Sequence, residues 1–84
     1  MAAKANVNLK VGDSFVVNEY LVSKNRCRVL DLDILTIKDI QNGEVITTVQ
    51  QEDENGIWEA IWDIVEFQTL VRLGFVERIQ EQRV

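Results

Sequence analysis

At 84 residues the chain holds one domain with a single modest core. Its 46% hydrophobic and 27% charged residues exclude a disordered chain, and no apolar run approaches the ~18 residues of a membrane span. Nine Lys and Arg against 14 Asp and Glu leave a formal charge of −5, which argues against binding a phosphate backbone and fits either plain solubility, the commoner reason for a modest negative charge, or a partner with a basic surface.

Residues 1–8 carry no pattern and read as a disordered start. They lack the apolar core of a secretion signal, so a cytoplasmic location is expected. Gly12-Asp13 is turn chemistry, and Phe15-Val16-Val17 opens the first strand. Tyr20-Leu21-Val22 either extends that strand or belongs to a loop, and Ser23-Lys24-Asn25 is a connection. Cys27 has no second cysteine to pair with and no His beside it, so it reads as a small core residue.

Arg26 to Ile40 is the longest β-segment. Leu30, Leu32 and Ile34 alternate with Asp31 and Asp33, which predicts one apolar face and one wet face. At Ile34-Leu35 the alternation slips by one residue, the mark of a bulge or sharp bend. Asn42-Gly43 then predicts a type I′ hairpin, with Val45 to Gln50 as the return strand. A two-residue loop would pair Ile40 with Val45 and Thr36 with Val49.

Gln51 to Gly56 is a second turn holding Glu52, Asp53 and Glu54 in a row. It lacks the spaced ligands of a calcium loop. Ile57 to Trp62 fits two patterns. As a helix it places Ile57, Trp58, Ile61 and Trp62 on one face; as a strand it places Trp58, Ala60 and Trp62 together. The strand is favoured, because a helix start is signalled only at Asp63. There Asp63 and Glu66 form an acidic capping box, Trp62 and Phe67 stand at the two staple positions, and Gly74 is placed as the left-handed stop. A helix over 63–73 follows, then a short strand over 75–79 and a polar tail over 80–84.

The expected fold is thus mainly β with one short helix (α+β), a single domain over 9–79. Val11-Gly12-Asp13-Ser14-Phe15, the bent strand, the Asn-Gly hairpin, Trp58, Phe67, Leu70 and Gly74-Phe75-Val76-Glu77-Arg78-Ile79 carry a further pattern. It resembles small SH3-like β-barrel proteins of bacteriophages and prophages, with their VGD-x-F opening and their late G-(aromatic)-x-x-R-(aliphatic) segment. The loop over 18–25, which lacks the usual glycine, departs from that pattern. The resemblance implies a partly open barrel of about five to six strands. It also implies an intracellular accessory protein that works by binding, of the kind that inhibits host enzymes or defence complexes.

Without His, the commonest general base and metal ligand is missing, and the four glycines are isolated rather than gathered in a phosphate loop. Neither catalysis nor a cofactor is therefore expected. Candidate partner-binding residues are the acids Asp31, Asp33, Asp39, Glu52, Asp53 and Glu54, together with Trp58. Two tryptophans in so short a chain more often build the core. The alternative is a module associated with nucleic-acid processing, contacting its ligand through Lys10, Lys24, Arg26 and Arg28. An exposed edge strand would also allow a homodimer.

Overall fold

A computed structural model describes residues 8–51 and 57–79. Among the described residues seven strands and one helix follow one another: β1 (Ser14–Val17), β2 (Leu21–Val22), β3 (Arg28–Val29), β4 (Ile34–Gln41), β5 (Glu44–Gln50), β6 (Ile57–Asp63), α1 (Ile64–Leu73) and β7 (Val76–Arg78). Five strands form one antiparallel sheet in the order β6-β5-β4-β1-β7, and β2 and β3 form a separate hairpin. The protein is therefore mainly β with one short helix, and its two sheets are not closed into a barrel.

Local chemistry accounts for the best-defined elements. Asn42 and Gly43 both take positive φ (52° and 76°), as a type I′ turn requires, and the turn pairs Ile40 with Val45. Asp63 caps α1 by accepting from the backbone N–H groups of Val65 and Glu66, each at 3.1 Å. Trp62 and Phe67 close the staple with ring centroids 5.7 Å apart. Gly74, at φ 84°, ends the helix in a Schellman motif: Phe75 N–H donates to Leu70 C=O and Gly74 N–H to Val71 C=O. Residues 57–63 are a strand, not the first turns of a longer helix.

The core lies on the inner face of the large sheet. Phe15, Leu35 and Val49 form one row across it, and Thr47 and Ala60 pair in another, all fully buried. Phe67 of α1 fits into this face edge-on to Phe15, with centroids 5.3 Å apart. Val29 is buried in the same core, with Leu21 and Cys27 packed beside it, so the hairpin and the helix both cover the inner face.

Three expectations need correction. The segment from Arg26 to Ile40 is not one strand. Asp33 folds its carboxylate back onto Leu30 N–H at 2.8 Å and is only 4% exposed, while Leu30 and Leu32 point outward. That partly buried hydrogen bond makes 30–33 a turn and reverses the predicted faces. Ile34-Leu35 is not a bulge either, because Ile34 sits half-buried on the outer face. The extra residue is Lys38, between Ile37 and Asp39, so Thr36 pairs with Thr48 rather than Val49. Finally, only one tryptophan is core: Trp62 is buried, whereas Trp58 is 52% exposed.

Asp13, Phe15 and Arg78, three residues of the sequence pattern, meet in space. Arg78 donates to Asp13 at 2.6 Å, lies 5.2 Å over the Phe15 ring and donates to the Asn8 carbonyl. This contact fastens β7 to the start of β1.

Candidate binding surface

Asp31, Asp33 and Asp39 do not share one face. Asp33 is buried and bonded to Leu30 N–H and to the Gln51 amide at 3.3 Å. Asp31 is exposed in the 30–33 turn, whereas Asp39 lies half-buried at the far end of β4 and accepts from Ile40 N–H. Five strand residues, roughly 17 Å, separate Ile34 at the near end from Asp39. Glu52, Asp53 and Glu54 lie outside the described residues.

The cations divide into two groups. Lys24 pairs with Glu44, and the hydrogen bond and charge of that carboxylate hold its pKa above the ordinary value. Lys38 pairs with Glu59, and Arg78 with Asp13. Arg26 and Arg28 are exposed and hold no carboxylate among the described residues. They line an open hollow of about 370 Å³ together with Cys27, Gln51 and Trp58. Gln51 is shared with a second hollow, lined by Leu32, Ile34 and Gln50. Trp58 was readable as a candidate from its residue type; Leu32, Gln51 and the grouping with Arg26 and Arg28 were not, because they depend on the turn at 30–33 and on long-range packing.

The backbone beneath these side chains is unusual. Ser23 N–H donates to Cys27 C=O at 2.9 Å and Arg26 N–H to Ser23 C=O at 3.0 Å, a three-residue hairpin loop whose last position is left-handed. Glycine suits that position, yet Arg26 holds it at φ 70°. In the 30–33 turn, closed by Asp33 N–H to Leu30 C=O, Leu32 sits at φ 79° where a type II turn calls for glycine. Each costs on the order of 1 kcal/mol relative to glycine.

The hairpin loop also covers the edge of β6. The Asn25 side chain accepts from Ile61 N–H at 3.0 Å and donates to Glu59 C=O at 3.1 Å, while Lys24 N–H donates to Ile61 C=O at 2.8 Å. An amide side chain thus stands in for a neighbouring strand and bridges the two sheets at one point. Cys27 beside it is half-buried; burial, and secondarily the Asp33 carboxylate, push its thiol pKa up.

No described helix is long and apolar enough to cross a membrane. Comparison with protein-family models, curated proteins and solved structures finds no match.

Proposed function

We propose that the chain is a small non-enzymatic accessory or inhibitor protein that acts by docking on another protein, of the SH3-like bacteriophage kind, in the cytoplasm. One observation carries this reading. Trp58 and Leu32 stand more than half exposed beside hollows that share Gln51, although most large apolar side chains of the sheet face are buried. An exposed tryptophan beside a concavity is a usual anchor of a protein interface, and an exposed leucine adds apolar area around it. The contact of Asp13, Phe15 and Arg78 supports the SH3-like part, since residues that carry the resemblance are neighbours in space. The charge of −5 draws a partner that carries a basic surface, by long-range steering.

The test is an affinity pull-down from a bacterial host cytoplasm, read by mass spectrometry. A specific partner should be retained by the wild type, weakened by Trp58→Ala, and weakened by higher salt and by reversing Glu52, Asp53 and Glu54 to Lys together. An identical set of captured proteins for all three forms overturns the reading. The nucleic-acid alternative is favoured by one grouping, Arg26, Arg28 and Trp58 around one hollow. Lys24, by contrast, is already paired with Glu44. A gel shift with single-stranded DNA or RNA at low ionic strength would support that alternative, and its absence would remove it.

A further inference from the structure

We infer that the seam between the base of the β2–β3 hairpin and the C-terminus of α1 receives an apolar segment of the protein partner that carries a Lys or Arg side chain. This rests on the protein-binding reading above and names where the basic surface of the partner lands.

The seam is built on backbone contacts. Asn18, which leads from β1 into the hairpin, donates its N–H to Phe75 C=O at 2.8 Å and its side-chain amide to Gly74 C=O at 3.1 Å. Both carbonyls lie just past the end of α1, so the hairpin base abuts the helix C-terminus. On the hairpin side, the pair Leu21 and Val29 sets the register, which places Tyr20 opposite Leu30 when carried on by one residue. Val29 is buried in the core and Leu21 packs against it. Tyr20 and Leu30 therefore stand on the other face of the hairpin, and both are exposed. On the helix side, Leu73 is exposed next to Leu70, its neighbour one turn back, which packs against the core. Hairpin and helix both cover the inner face of the sheet, so Tyr20, Leu30 and Leu73 border the seam on one side of the molecule. Apolar side chains gathered in this way, rather than scattered singly, mark an interaction surface.

Electrostatics select the occupant. Glu19 and Asp31 are exposed beside Tyr20 and Leu30 and hold no cation among the described residues. The helix brings the negative end of its dipole to the same place. Arg72, in its last turn, does not fill the seam: its guanidinium stands 3.4 Å from Thr69 Oγ1, back along the helix. A Lys or Arg of the partner would thus meet two carboxylates, a helix C-terminus and the face of the Tyr20 ring. Arg28 lies on the same hairpin face one row nearer the loop, opposite Val22, so the cation of the segment belongs at the Glu19 and Asp31 end. The same two acids repel the phosphates of a nucleic acid.

The experiment selects random dodecapeptides on the immobilised full chain and measures one synthetic selected peptide by fluorescence anisotropy. Wild type is compared with Glu19→Lys/Asp31→Lys and with Tyr20→Ser/Leu73→Ser. Amide shifts of the 15N-labelled wild type, with the peptide and with a dT20 oligonucleotide, locate the site, and sedimentation velocity reports self-association. Supporting results are selected peptides with Lys or Arg close to Leu, Ile, Phe or Trp, at least tenfold weaker binding by both variants, and the largest shifts at Asn18, Tyr20, Leu30 and Leu73. The substituted side chains are exposed, so both variants should melt with the wild type; if one melts lower, the shifts on the wild type decide alone. Equal binding by all three proteins overturns the inference, as does selection of Asp- or Glu-bearing peptides or of none. So do dT20 shifts at the same amides, or self-association that the variants lose, which would make a second copy the occupant. Peptide shifts at Trp58 and not at the seam overturn it too, and leave the protein-binding reading standing.

Discussion

Thr47 is polar in the middle of an apolar core because Trp62 needs an acceptor. Its hydroxyl takes the indole N–H at 3.0 Å, and both residues are buried. Thr47→Val keeps the shape and orphans that donor, so it should lower unfolding free energy by about 1–3 kcal/mol in urea titrations followed by tryptophan fluorescence. Cys27 makes a second statement at this scale. Its thiol pKa is raised, so the protonated form is the one the fold favours. The associated stability is fully present below the ordinary thiol pKa and is lost as pH rises through the raised value, because the unfolded chain ionises first. Iodoacetamide at pH 8 should therefore label Cys27 several-fold more slowly in the native protein than in urea. Equal rates would show that the thiol is not shielded.

At the scale of elements, the edge of β6 depends on Asn25, whose amide serves as a one-residue strand substitute for Glu59 and Ile61. Asn25→Ala should lower stability by about 1–2 kcal/mol and promote self-association, measurable by sedimentation velocity, because the exposed ladder groups can then pair with another molecule. Elements specified by near neighbours were legible in the sequence. α1 has its cap, staple and stop within Trp62 to Phe75, and the β4–β5 turn is contained in Asn42-Gly43. What escaped depends on side chains acting against the local pattern. Asp33 bonds Leu30 N–H and makes a turn out of an alternating segment. The bulge at Lys38 is marked only by the step of the apolar phase from Leu35 and Ile37 to Ile40, a single residue near the end of the strand. Trp58 and Trp62 share a strand face by spacing, and only their partners in the assembled sheet bury one and expose the other. The candidate surface was half legible for the same reason: Trp58 is visible as a type, but the hollows exist only once the turn at 30–33, the hairpin loop and Gln51 are in place.

At the scale of the whole molecule, β1 lies between β4 and β7 and is held on its outer side by the Asp13–Arg78 ion pair. Its partners there are the last described residues of the chain: Phe15 pairs with Arg78 and Val17 with Val76. This placement sets the order in which a growing chain can assemble. The β4–β5 hairpin needs only a two-residue loop and can form as soon as it leaves the ribosome, since short loops close fast. The outer edge of β1 and the guanidinium over Phe15 must wait until Arg78 has been made, because that closure spans most of the chain and long loops close late. A chain stopped after Gly74 should therefore keep hairpin content by circular dichroism yet lack a cooperative melt, whereas one stopped after Ile79 should melt cooperatively. Synthesis of the chain would then pass through a protease-sensitive species until Val76 to Arg78 emerge, with the outer edge of β1 unpaired until then.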